Sequence, residues 1–112
     1  MGEILGNSLG NLFEFIPGET GEEQFNVLAL GDNIRIERII SKGHSSPASG
    51  WYDQEENEWV VVLKGEANIA FETGDEVHLT AGCHITIPAH TRHKVTWTTP
   101  DTETIWLAVH YK

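Results

Sequence analysis

Apolar residues fall in short runs along this chain, several with a period of two, and turns bearing glycine, proline or aspartate cut the runs apart. Leu12 to Ile16 reads as a short strand ended by Pro17-Gly18, and Phe25 to Leu30 as a second strand closed by Gly31-Asp32-Asn33. Ile34 to Ile40 opens with strict alternation, the mark of a half-buried strand, and the pattern shifts near Arg38, where a bulge is expected. Residues 41–50 hold Gly, Ser and Pro and read as a loop. Glu58 to Leu63 is the central strand, and Lys64-Gly65-Glu66 turns it into Ala67 to Glu72. Thr73-Gly74-Asp75 is a hairpin turn into Glu76 to Leu79. Ala81-Gly82 turns into His84 to Ile87, which Pro88 stops; Arg92 to Thr98 alternates, and Thr104 to Tyr111 is the last strand. No stretch shows a helix of two or more turns. Many short strands punctuated by glycine predict an all-β sandwich or barrel. Residues 1–11 form a loosely docked arm, and 12–112 a single domain with no repeat or linker.

One position breaks the apolar pattern. Glu58 opens the strand that follows the acidic loop at 51–57, and a buried unpaired carboxylate is costly. Either Glu58 stays wet at the strand end, paired with Arg92 or Arg38, or it points into a barrel mouth and binds a cation. Residues 58, 60 and 62 share one face, and Tyr52 and Gln54 join it if the loop keeps register. In the strand after Pro88, His93, Val95 and Trp97 share a face that is the expected interior. Glu58 and His93 are therefore expected to look inward from neighbouring strands.

Charge narrows the partners. Lys and Arg number 7 against 17 Asp and Glu, a formal net charge of −10. Such a surface is repelled by nucleic acid and anionic membrane. The single cysteine, Cys83, allows no internal disulfide, and no signal-peptide pattern is seen, so a soluble, cytoplasmic protein is expected. The unusual residues are six histidines and four tryptophans.

Glu58 followed by Gly65, set beside Gly82-Cys83-His84-Ile85-Thr86-Ile87-Pro88-Ala89-His90-Thr91-Arg92-His93, resembles the two motifs of the cupin superfamily over roughly residues 34–111. The resemblance implies a small jelly-roll barrel around a divalent metal held by three histidines and a glutamate. Glu58, Gly65, Pro88 and His93 match. Tyr52 and Gln54 stand where two histidines are usual, and His90 stands in a slot that usually holds glycine. The combination resembles a subgroup of small, single-domain cupins of unsettled function. The expected metal site is Glu58 and His93, completed by some of Gln54, His90 and His44, for Zn, Fe, Mn or Ni. Tyr52 or His90 is expected to transfer protons.

The other candidates have plainer readings. His78 and His84 are expected on the surface, Cys83 lacks an activator, and His110 shares a face with Trp106 and Ala108, for which packing is the default. Trp59, Val61 and Leu63 make the second face of the central strand apolar too, so something covers it. A second subunit in a homodimer is expected, the alternative cover being residues 12–30. Three functions remain: a metal-dependent enzyme of dioxygenase, isomerase or decarboxylase type acting on a small organic molecule, a non-catalytic ligand-binding module, or a metal-free structural dimer.

Overall fold

A computed structural model describes residues 9–14, 16, 23–47 and 50–112. Eight strands follow one another: β1 (Gln24–Leu30), β2 (Ile34–Ser41), β3 (Asn57–Lys64), β4 (Ala67–Phe71), β5 (Glu76–Leu79), β6 (His84–Ile87), β7 (His93–Thr98) and β8 (Thr104–Tyr111). No helix occurs among the described residues. A five-stranded sheet in the order β1-β2-β8-β3-β6 faces a three-stranded sheet in the order β5-β4-β7. The protein is thus an all-β jelly-roll barrel, and β8, not β3, runs down the middle of the larger sheet.

Alternation explains the core. Glu58, Val60 and Val62 of β3 point inward and are buried, while Trp59, Val61 and Leu63 are half-buried on the outer face. Val60 and Val62 pack with Ala67, Ile69, Leu79, Ile87, Trp106 and Ala108 from both sheets. Each large aliphatic or aromatic member removed from water contributes about 1.5–3 kcal/mol. Gly65 ends β3 with φ of 87°, and a Cβ there would collide with Thr104 Oγ1 and the Glu103 carbonyl.

Several sequence expectations fail. Of the strand expected at Leu12 to Ile16, the described residues 12–14 form a turn instead, in which the Asn11 side-chain carbonyl accepts the Phe13 N–H at 2.8 Å. Such a bond offers the backbone an alternative to pairing. The freed carbonyls of Leu12 and Glu14 accept from Arg38 Nη1 at 3.2 and 2.7 Å, and Asn26 Oδ1 accepts from the same guanidinium. Phe15, Pro17-Gly18 and most of the arm lie outside the described residues.

The bulge expected near Arg38 lies instead in β1, where Leu28 is the extra residue between Val27 and Ala29; β2 pairs with β8 unbroken from Ile34 to Ser41. The change of pattern at Arg38 has another cause. Arg38 sits on the outer face of β2 and is buried there by its bonds to the segment at 12–14. Trp97 is 39% exposed rather than inside, because a register shift between β4 and β7 turns it out, against His78, and buries Thr98. Residues 24–30 do not lie over the outer face of β3 but extend the larger sheet at its edge.

Candidate functional site

A cavity of about 260 Å3 opens between the two sheets. Its floor is apolar, from Ile39, Val60, Ile69, Ile87, Val95 and Trp106. Tyr52, Gln54, Glu56, Glu58 and Val60 all line it, so the loop before β3 does hold the period of two. The register is kept by a bridge to the other sheet: Tyr52 N–H donates to the His93 carbonyl at 2.8 Å, and His93 N–H returns to the Tyr52 carbonyl at 3.2 Å. The Tyr52 ring lies 5.9 Å from the His93 imidazole.

Glu58 and His93 do meet, but across the cavity, from β3 of the larger sheet and β7 of the smaller one, rather than from neighbouring strands. Both are buried, and His93 Nε2 lies 3.7 Å from Glu58 Oε1, an ion-pair distance. His93 Nδ1 lies 2.8 Å from the Thr91 carbonyl. A carbonyl only accepts, so Nδ1 carries the proton and Nε2 is the nitrogen presented to Glu58. Burial opposes the charged ring most strongly, but the Glu58 carboxylate and the Thr91 carbonyl outweigh it and raise the His93 pKa. Gln54 turns its amide nitrogen to Glu58 Oε1 at 3.4 Å.

The remaining two predicted site residues are elsewhere. His90 takes the place of a glycine in conformation as well as in position, with φ of 60°, and its exposed ring bonds Asp53 Oδ1 at 2.8 Å. That bond, with Arg92 beside it, lowers the Asp53 pKa. His44 Nδ1 accepts the Lys42 N–H at 2.8 Å and stays within its loop. Neither residue lines the cavity. The arginines weighed as partners of Glu58 are engaged otherwise, Arg92 with Asp53 and Glu72, Arg38 with Asn26.

Sequence reasoning missed the other half of the cavity. One rung of the larger sheet runs Arg35, His110, Glu58, Ile87 across β2, β8, β3 and β6. His110 is buried, and its Nε2 lies 3.0 Å from Glu37 Oε1. Arg35 approaches Glu37 at 3.8 Å and Glu56 at 3.4 Å. The alternation of β2 did not say which face was inside; Arg35, Glu37 and Ile39 line the cavity. The available signal was His110 itself, in phase with Trp106 and Ala108.

A divalent ion in a catalytic site usually takes three protein ligands. Among the described residues, no three His, Cys, Asp or Glu side chains gather in a way that would hold one. Glu58 and His93 supply two donors, while positions 52 and 54 bring a phenol and an amide. The side chains present do not complete the centre that the resemblance implies.

A family model described as the cupin domain matches residues 36–110. Among solved structures, a protein of Ralstonia eutropha JMP134 described as "a putative mannose-6-phosphate isomerase" is 41% identical, with 93% of this chain and 97% of that chain covered and a TM-score of 0.90. An RmlC-like cupin of Desulfovibrio desulfuricans shares the fold at 19% identity, 92% and 94% coverage and a TM-score of 0.75. The lyase DddQ of Ruegeria pomeroyi shares it at 20% identity, 73% and 40% coverage and a TM-score of 0.61. No curated protein matches. With its two facing sheets, its Glu58 and Gly65, its Pro88 and His93, and a family match that spans β2 to β8, the chain belongs to the cupin family.

Proposed function

We propose that the cavity takes a small, uncharged, hydroxylated carbonyl compound and moves a proton between its carbons, an isomerase-type reaction. The observation that carries this reading is the orientation of His93. Its Nδ1–H is held by the Thr91 carbonyl, and its Nε2 faces both Glu58 and the cavity. An imidazole so fixed, beside a carboxylate that favours its charged form, can donate a proton to a carbonyl oxygen. Tyr52, beside it, orients the same oxygen or relays its proton. The apolar floor excludes water. His90, turned outward to Asp53, has no part in this reading.

The description of the 41% identical Ralstonia protein supports the isomerase class. The charge of the cavity argues for a substrate without phosphate. Glu23, Glu37, Glu56 and Glu58 face it against the single guanidinium of Arg35. Like charge costs a phosphate ester entry. In heavy water, neutral aldoses and ketoses are expected to take up deuterium beside the carbonyl, with phosphorylated sugars much slower. Glu58→Gln and His93→Ala should each lose most of this exchange, and full activity in both would overturn the reading.

The metal centre expected from the sequence was Zn, Fe, Mn or Ni on Glu58 and His93, completed by some of Gln54, His90 and His44, and of those three only Gln54 stands beside Glu58. Two strong donors hold such an ion weakly, so the reaction proposed rests on the chain's own groups. Metal analysis of untagged protein is expected to find well under one divalent ion per chain after supplementation. A full equivalent, lost in Glu58→Gln, would restore the metal-dependent reading. The incomplete donor set also favours a non-catalytic binding module, which would bind the same sugars without exchanging their protons.

A further inference from the structure

Residues 51–56 wall one side of the cavity with little support from within. Among the described residues a single isolated bridge, Tyr52 to His93, ties them to a strand, and β3 begins only at Asn57. Tyr52, Gln54 and Glu56 face the cavity, while Asp53 between them faces out. The inward contacts are loose: the Gln54 amide lies 3.4 Å from Glu58, and Glu56 meets Arg35 at 3.4 Å. No residue from 51 to 56 belongs to the buried core. Segments with few buried apolar contacts open at the lowest free-energy cost. Gly50, just before them, has φ of 94° and nothing within 4 Å of where a Cβ would stand, so the chain is free to swing there.

The turn between β6 and β7 grips the segment from outside. The His90 N–H donates to the Gln54 carbonyl at 2.8 Å. The His90 ring meets Asp53 Oδ1 at 2.8 Å, and Arg92 Nε donates to Asp53 Oδ2 at 3.4 Å. The Ala89 N–H donates to the Asn57 side-chain carbonyl at 3.0 Å, where β3 begins. His90 takes part at a cost, because its φ of 60° is left-handed backbone that glycine adopts without strain. A glycine there would donate the same N–H to Gln54. Only a side chain reaches Asp53. Strain retained where a smaller residue would relieve it points to a task for that side chain.

We propose that residues 51–56 are a lid on the cavity, hinged at Gly50, and that His90 and Arg92 hold it shut through Asp53. Closed, the lid sets Tyr52 beside His93 and Gln54 beside Glu58. Open, it uncovers the apolar floor. The clasp lies on the surface, with the His90 side chain 65% exposed and that of Asp53 38%. Ion pairs so placed are weak, which lets the lid open and reclose without loss of the barrel. The lid serves whatever molecule the cavity takes and does not depend on the isomerase reading.

The test needs no ligand. Val60 is buried and lines the cavity floor. In protein carrying Cys83→Ser and Val60→Cys, the rate of alkylation by iodoacetamide reads how often the floor is reached. His90→Gly and Asp53→Ala are each expected to raise that rate about two- to fivefold, the scale of an exposed ion pair. Hydrogen exchange at the amides of Tyr52 and residue 90 should quicken by a similar factor, with the amide of Ala108 in the middle strand unchanged. The two substitutions together should add little to either alone, since both break one contact. His90→Gly is expected to keep the thermal midpoint, because relief of the left-handed backbone offsets the lost bond; a residue that only stabilised the barrel would lower it. Alkylation unchanged in both variants would overturn the lid, whatever happens at Tyr52. Faster alkylation matched by faster exchange at Ala108 would show the whole barrel opening, and would overturn it as well.

Discussion

His93 is gripped at both nitrogens, by the Thr91 carbonyl at Nδ1 and by the Glu58 carboxylate opposite Nε2. A neutral ring in this setting would turn a lone pair toward a carboxylate, so the folded state favours the charged form. Its pKa is therefore raised above the ordinary 6.5. A raised folded-state value means that the protonated ring stabilises the fold, fully below the unfolded value near 6.5, and that this stability is lost as pH rises through the folded value. Urea denaturation across pH 5 to 9 is expected to show the parent protein losing stability over Glu58→Gln as pH climbs. A gap between the two that stays constant or widens with pH would contradict the pairing. The tautomer of His93 follows from a main-chain carbonyl two residues back, which no side-chain pattern announces.

At the scale of elements, Gly65 in the turn after β3 is the most crowded of the described glycines. Gly65 has φ of 87°, and Thr104 and the Glu103 carbonyl crowd the place where a side chain would begin. Left-handed backbone at a non-glycine residue costs roughly 1–3 kcal/mol, and the collision adds to it. Gly65→Ala is expected to lower the thermal midpoint clearly, and a midpoint equal to that of the parent would show the turn to be slack. The strands themselves were largely legible, since from Phe25 onward the alternation and the glycine turns mark all eight. The bulges were not. Leu28 in β1 and the shift near Trp97 in β7 arise from how each strand fits its partner, and a single strand read alone does not contain that information. Leu12 to Ile16 shows the reverse failure: apolar enough for a strand, it turns instead because Asn11 captures the backbone.

For the whole molecule, the exposed apolar surface gathers at one edge of the larger sheet among the described residues. Phe25, Val27, Leu28 and Leu30 of β1 are exposed, as is Ile34 at the start of β2, and β1 ends the larger sheet. An exposed apolar edge strand is a template for another chain. A two-fold homodimer joined along β1 is the expected arrangement, and because Phe25 and Glu23 also line the cavity mouth, the partner would narrow it. Sedimentation should find a dimer at micromolar concentration and a monomer for Leu30→Lys. A monomeric parent protein would leave this edge without its proposed cover. No helix among the described residues is long and apolar enough to cross a membrane.

The amino-acid pattern alone determined the eight strands from Phe25 onward, their turns, the family motifs and the inward parity of Glu58 and His93, because strand parity and glycine positions are local properties. Tertiary structure alone decided that Arg35, Glu37 and His110 face the cavity, and that His90 and His44 do not line it. Which face of a strand is inside depends on the sheet stacked against it. For β2 the alternation left the inner face open, and the facing sheet made it that of Arg35, Glu37 and Ile39.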